Sequence, residues 1–326
     1  MVTVGESQAT GPDGVMVVDK PGGWTSHDVV AKLRRLLDTR KVGHAGTLDP
    51  MATGCLVVGV GRGTRLLGHL VGLDKTYHAT IRLGQATTTD DAEGEPAFSA
   101  PPGLVASLSG AALTAAMTEL TGAIMQVPSA VSAIRVDGQR AHTLVRAGQT
   151  VELAARPVTV YRFELLDRRQ IELPDATVVD LDVDVEVSSG TYVRALARDL
   201  GQALGVGGHL TALRRLTVGP FSLDQARAFT LVATEPDGGA VTPAEALPSP
   251  TLMSLAQAAQ QLFAVRRLTP AEVTELSHGR FIEANPKPEG SKDQPVAGVG
   301  PDGELVALLA DIEGQTRPLA VFAPAP

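Results

Sequence analysis

Residues 43–54 read Gly-His-Ala-Gly-Thr-Leu-Asp-Pro-Met-Ala-Thr-Gly, between the basic Arg40-Lys41 and the apolar run Leu56-Val57-Val58. Three glycines, a proline and one carboxylate at this spacing describe a loop entering a buried strand. Pro50 biases Asp49 away from helix, and the glycines allow close approach of another molecule to the carboxylate. A presented carboxylate can act as a nucleophile, dividing one hard step into two easier ones through a covalent intermediate. An isolated Asp-Pro in a loop is most often an Asx turn. The nearby Arg40, Lys41 and His44 weigh towards a binding loop instead.

Four further segments carry residues suited to the same site: Val18-Asp19-Lys20-Pro21-Gly22-Gly23, Asp74-Lys75-Thr76-Tyr77, Ser189-Gly190-Thr191-Tyr192-Val193-Arg194, and His209-Leu210-Thr211-Ala212-Leu213-Arg214-Arg215. Taken singly, Arg194 reads as a surface helix arginine and the tyrosines as core residues with satisfied hydroxyls. Together with the Asp49 loop, and in this order, the five segments resemble the bacterial tRNA pseudouridine-55 synthases of the TruB family, over residues 15 to about 230.

The resemblance implies an isomerase that breaks the bond between ribose C1′ and uracil N1, turns the base and rejoins C1′ to C5. It implies Asp49 as the nucleophile, attacking either C1′ or uracil C6, with Arg194 pairing to it and keeping it ionised. Tyr77 would stack on the base and move the C5 proton, and Tyr192 and Leu213 would line the pocket. His44 would fill the gap that the flipped base leaves. Lys20, Arg214 and Arg215 would contact substrate. The implied partner is the tRNA T-arm stem-loop, with no cofactor, no membrane and no protein partner, and with the enzyme acting as a monomer. The family's double proline and tyrosine are replaced by Pro128-Ser129-Ala130-Val131, and a frequent tyrosine by His142. A bare RNA-binding module and a hydrolytic N-glycosidase are the competing readings; the second usually needs another carboxylate, and none stands out at motif quality.

The elements that must position these residues are legible in part. Val15–Val18 reads as a short strand, and Ser26 as the cap of a helix from His27 to about Leu37. Tyr77–Leu83 and Val178–Val187 alternate as half-buried strands, Leu104–Leu120 reads as one helix, and a helix is expected from Ala195 to Ala203. Strands and helices mix without a regular βαβ rhythm, which predicts an α+β fold built on a mixed sheet. The expected organisation is a disordered leader over 1–14, a catalytic domain over 15–235 with an RNA-binding arm inserted at 125–157, a linker over 236–250, and a small β-rich, PUA-like domain over 251–326.

Composition narrows the class. With 44% hydrophobic but only 3% aromatic residues, the core of this 326-residue chain must rest on Leu, Val and Ala. Its single cysteine, Cys55, excludes an internal disulfide, reads as a core residue and suits a reducing cytoplasm. No run approaches the roughly 18 apolar residues of a membrane span. Gly59-Val60-Gly61-Arg62-Gly63 matches neither nucleotide-binding fingerprint, and the oxygens of 87–95 lack EF-hand spacing. The net charge of −8 argues against indiscriminate polyanion binding. Its distribution is uneven: Lys32, Arg34, Arg35, Arg40, Lys41, Arg62 and Arg65 are opposed over 32–69 only by Asp38 and Asp49. A basic face of that kind suits a shape-specific RNA binder.

Overall fold

A computed structural model of the chain describes residues 11–131, 135–136, 139–140, 153–174, 176–226, 252–284 and 290–323. The elements begin with β1 (Gly14–Lys20), α1 (Ser26–Leu36), β2 (Val42–Ala45), β3 (Thr53–Val60), a 3-10 turn over Gly61–Leu66, α2 (Leu67–Val71) and β4 (Lys75–Leu83). There follow β5 (Gln85–Thr87), β6 (Pro96–Ser99), α3 (Pro102–Ala106), α4 (Gly110–Glu119), β7 (Gly122–Gln126), β8 (Arg135–Val136) and β9 (Gln139–Arg140). The long hairpin of β10 (Arg156–Leu173) and β11 (Ala176–Val187) leads to α5 (Val193–Ala203), β12 (Gly208–Val218) and β13 (Phe221–Ser222). The C-terminal unit holds α6 (Leu255–Leu262), β14 (Val265–Arg267), α7 (Pro270–Ser277), β15 (Ile282–Glu283), β16 (Val296–Val299), β17 (Leu305–Ile312) and β18 (Gln315–Val321).

The architecture is α+β. The main sheet runs β1-β3-β12-β4-β11-β10-β7, with β2 added to β3 and β13 to β12; β3 and β12 pair in parallel while the other pairs are antiparallel. The C-terminal unit is a five-stranded sheet, β14-β16-β17-β18-β15, with two helices. Among the described residues, no helix is long and apolar enough to cross a membrane.

The sheet is covered unevenly, and the strand sequences say where. β1 is apolar without alternation because both its faces are buried: Met16 and Val18 pack in the core under α1, Val15 and Val17 in a second core shared with the C-terminal unit. β4 alternates because only one face is covered, Tyr77, Ala79, Ile81 and Leu83 inward and His78 and Arg82 outward. β11 alternates only over its C-terminal half; from Ala176 to Leu181 every residue is buried, and Asp180 is tolerated there because Arg82 forks onto it with two 2.8 Å hydrogen bonds.

Several expected boundaries move. The cap of α1 is Thr25, whose hydroxyl accepts from the Asp28 amide while the Asp28 carboxylate accepts from Thr25, a reciprocal capping box. Ser26 lies one step inside, where its buried hydroxyl accepts from the Leu48 amide at 2.9 Å and donates to the Leu48 carbonyl. The single helix expected over Leu104–Leu120 is two, because Ser109 caps a new start by accepting from Ala112. Residues 1–10 of the expected leader lie outside the described residues, but Asp13 and Gly14 belong to the fold: the Asp13 carboxylate pairs with Arg62 at 2.6 Å. The linker at 236–250 and most of the arm, with His142, also lie outside the described residues.

Candidate active site

The Asp49 loop is the turn of the β2–β3 hairpin, with His44 opposite Val58 and Ala45 opposite Val57. Several contacts give it its shape. Gly46 takes φ +74°, and a Cβ there would stand 3.4 Å from an Arg215 guanidinium nitrogen and 3.5 Å from Lys75 Cε. Ser26 holds Leu48, as above. Lys20, completely buried, spreads its ammonium over the carbonyls of Trp24 (2.6 Å), Pro21 (3.0 Å) and Pro50 (3.2 Å). Its pKa is pushed down to about 8 by burial, with Asp49 the leading group holding it up. Lys20 therefore shapes the loop from beneath, its ammonium bonded to three backbone carbonyls.

Asp49 meets Arg194 at the start of α5, Arg194 Nε to Asp49 Oδ2 at 3.0 Å. The arginine side chain is 4% exposed and the aspartate 37%, so the carboxylate is the partner that faces outward. Arg194 is held by its other nitrogens, which donate to the carbonyls of Thr89 (3.0 Å) and Val131 (2.9 Å) and pair with Asp91 at 3.4 Å. Asp91 was not singled out from the sequence; its neighbours Thr87 and Asp90 read as a loop of oxygens, and only the fold brings it to Arg194. Asp91 is 2% exposed and accepts the Glu93 amide, so this second acid is committed to the arginine. Burial raises the Asp49 pKa, and the opposing pull of Arg194 does not overcome that with Asp91 nearby.

Alternation along β12 separates Arg214 from Arg215. Arg215 points inward with Leu213, is 1% exposed, and donates from Nε to the Cys55 carbonyl (2.7 Å) and from Nη2 to the Gly46 carbonyl (2.9 Å). It also bonds the Tyr77 hydroxyl, whose pKa is nonetheless raised by burial. Arg214 faces the other way and forks onto Asp19 at 2.7 and 3.0 Å. Neither arginine is a free cation: Arg215 lines the pocket while bonding backbone carbonyls, and Arg214, 41% exposed, is paired with Asp19.

Leu213, Tyr77, Lys75 and Arg215 form one wall of a pocket of about 320 Å³, Gly46–Asp49 a second, and Ser189–Arg194 with Val71 the third. Tyr192 is oriented by Gln126, buried at the end of β7, which accepts from its amide (2.9 Å) and donates to its carbonyl (3.2 Å). Lys75, missed in the sequence like Gln126, lines the pocket while its ammonium caps the Leu73 and Val71 carbonyls; burial brings its pKa to about 8. His44 is half-buried in β2, its Nδ1 enclosed without a hydrogen-bond partner among the described residues, and burial lowers its pKa, so the ring is neutral near pH 7. Among the described residues no group of three or more His, Cys, Asp or Glu side chains could hold a metal ion. The site thus offers one outward carboxylate, a fixed guanidinium behind it, and a buried phenol in a pocket with both apolar and polar walls.

Comparison with known proteins bears on what such a site does. Residues 34–193 match the model of the TruB family pseudouridylate synthase N-terminal domain, residues 194–235 that of the tRNA pseudouridylate synthase B C-terminal domain, and residues 263–323 that of the tRNA pseudouridine synthase II C terminus. The chain is 54% identical over 315 residues to tRNA pseudouridine synthase B of Arthrobacter sp. (strain FB24), covering 95% of this chain and 97% of that protein. It is 50% identical over 317 residues to the protein of the same name from Mycobacterium tuberculosis (strain ATCC 25618 / H37Rv), covering 97% and 98%. Among solved structures it is similar to a chain of a Cbf5-Nop10-Gar1 complex, with a TM-score of 0.65 and 25% identity over 96% of this chain and 85% of that one. A chain of an H/ACA RNP bound to a substrate RNA containing 2′-deoxyuridine is similar too, with a TM-score of 0.63, 25% identity, and coverage of 96% and 86%.

Proposed function

The chain belongs to the TruB family of pseudouridylate synthases, and from that premise we propose that it isomerises uridine-55 in the T-loop of tRNA to pseudouridine, with Asp49 as nucleophile and the target base flipped into the Asp49–Tyr77 pocket. The observation that carries the reading is the Asp49–Arg194 pair at 3.0 Å, at the edge of a pocket of about 320 Å³ walled by Tyr77 and Leu213. A volume of that order suits a single small ligand, and a base inside a folded RNA loop reaches such a pocket only by leaving its stack.

In this reading Asp49 attacks C1′ or uracil C6, the C1′–N1 bond breaks, and the freed base turns while held between Tyr77 and Leu213. The C1′–C5 bond then forms and the bond to Asp49 breaks, returning the free carboxylate. C5 loses its proton and N1 gains one, so the product has the mass of the substrate. Arg194, fixed by two carbonyls and Asp91, keeps Asp49 aimed and balances its charge through the steps. Tyr77, whose raised pKa keeps the phenol protonated near neutrality, supplies the ring for stacking and a hydroxyl through which the C5 proton leaves. The neutral His44 enters the gap in the RNA stack, as aromatic side chains do in loop recognition. The exposed Arg34, Arg35, Arg40 and Lys41, on and just beyond α1, take the phosphates beside the loop. The enzyme acts in the cytoplasm as a monomer on the T-arm, without cofactor or protein partner.

The test is incubation of the purified chain with an unmodified tRNA transcript, followed by carbodiimide mapping of pseudouridine and assay of free uracil. Modification confined to position 55 with no uracil released is expected. Released uracil would instead assign hydrolysis, and binding without product would leave an RNA-binding module.

A further inference from the structure

The β2–β3 hairpin that carries Asp49 is packed from both sides. Val42, Leu48, Ala52, Leu56 and Val58 lie in the core under α1. On the opposite side Ala45, Cys55 and Val57 lie in the second core, with Leu305, Leu308 and Phe322 of the C-terminal unit. The hairpin is thus the layer between two units of the chain. The 3-10 turn that follows β3 fastens this arrangement: Arg62 pairs with Asp13 and donates to the Phe322 carbonyl, while Arg65 donates to the Val321 carbonyl and lies 6.0 Å from the centre of the Phe322 ring. β1 joins the same unit through paired backbone bonds between Val15 and Met253 at 2.8 and 3.0 Å.

We propose that the C-terminal unit is a working part of the active site: by supporting the back of the hairpin it holds the Asp49 loop in place, so that Phe322, Arg62 and Arg65 are positioning residues for the chemical step and not contacts to RNA. Cys55 is where the support reaches the chemistry. Its side chain is in the shared core, its carbonyl takes the Arg215 Nε bond at 2.7 Å, and the same guanidinium holds Gly46 at the start of the loop and the Tyr77 hydroxyl. A shift of β3 towards a space left by Phe322 therefore moves the nucleophile and the phenol relative to each other. Displacements of about 1 Å in such a constellation cost on the order of 100-fold in rate. Arg62 and Arg65 look like phosphate ligands in a sequence, yet Arg62 is shared between Asp13 and the Phe322 carbonyl, and Arg65 donates to the Val321 carbonyl.

The proposal rests on the reading of Asp49 and Tyr77 as the reacting pair, and one arm of its test does not. Full-length Phe322→Ala, Phe322→Leu and Arg65→Met are compared with wild type by amide exchange and by single-turnover pseudouridine formation at saturating enzyme, with tRNA affinity from filter binding. In Phe322→Ala, exchange across 46–52 accelerates about tenfold while 193–203 keeps its protection. The single-turnover rate constant falls about tenfold with affinity within twofold. Phe322→Leu recovers most of both, and the surface change Arg65→Met gives a shift of about twofold in the same direction. Unfolded protein lowers the amplitude of product formation and leaves the rate constant alone, so a merely structural role is separable; should Phe322→Ala not fold, Arg65→Met decides. Wild-type exchange across 46–52 in the variants overturns the proposal whatever the activity, as does weakened tRNA binding at an unchanged rate constant. Wild type that binds tRNA and forms no pseudouridine fails the functional reading alone.

Discussion

Along β4 and β12, one face of the sheet presents Lys75, Tyr77, Leu213 and Arg215 to the pocket, and the other presents His78, Thr80, Arg82 and Arg214 towards water. Ion pairs occur on both sides, and their lengths do not rank them. Arg214 and Asp19 approach to 2.7 Å, closer than the 3.0 Å of Arg194 and Asp49, but the outer pair is 41% and 34% exposed and the inner arginine only 4%. Asp182 on the outer face and Asp49 in the pocket are shifted in opposite directions. On the outer face, hydrogen bonds from Arg169 hold Asp182 below its ordinary value; in the pocket, burial drives Asp49 above it despite Arg194. An exposed pair is screened and adds little, whereas a buried arginine with several acceptors fixes geometry and costs much to disturb.

Substitutions on the two faces should therefore differ in kind. Asp49→Asn keeps shape and removes the proposed nucleophile; single-turnover assays should show at least about a 1000-fold loss, with tRNA affinity within a few-fold. Residual product near the wild-type rate would remove Asp49 from the centre of the reaction. Tyr77→Phe should bind RNA normally and lose about 100-fold in rate, since only the hydroxyl proposed to handle the proton is deleted; equal turnover would make Tyr77 a platform alone.

The adjacent arginines give the sharpest contrast. Arg215→Ala leaves the Gly46 and Cys55 carbonyls without their donor in a buried site, for a loss of about 3 kcal/mol in denaturant unfolding together with impaired catalysis. Arg214→Ala should change stability by less than about 1 kcal/mol and turnover hardly at all. Equal effects at the two positions would mean that burial is not what separates the faces.

The smallest effect expected is a pH dependence. Because the folded pKa of Asp49 lies above its unfolded value of 3.8, the folded state binds the extra proton between the two. The contribution of this group to stability is therefore fully present below 3.8 and declines as pH rises through the folded value, while the proposed nucleophile becomes available over the same interval. The acid limb of the single-turnover rate should lie above pH 3.8, and Asp49→Asn should lack that part of the wild-type stability slope in thermal melts. An acid limb below pH 3.8 would contradict the dominance of burial.

Short-range order was legible in the residues themselves. The turn around Asp49, the alternation of β4 and the strand at Val15–Val18 depend on neighbours a few positions away, and the pairing of Asp49 with Arg194 followed from resemblance. Once residues 208–218 form β12, which was not read as a strand from the sequence, alternation sends Arg214 and Arg215 to opposite faces. Which face would be buried was decided by the Asp49 loop and the C-terminal unit, more than 150 residues before β12 and several dozen after it. The same reason applies to the basic residues. Lys20, Arg62, Arg65 and Arg215 have the side chains of phosphate ligands, and a lysine or arginine carries no local sign of whether its donors will meet solvent, RNA or backbone carbonyls. Asp91 and Gln126 carry no sign of Arg194 and Tyr192 either. The sequence alone determined the family, the mixed α+β class and the loop that presents the carboxylate, because these depend on residue type and order. Only the tertiary structure decided which charges hold the site together and which remain for a substrate, because burial and hydrogen-bond partners are properties of the packed chain.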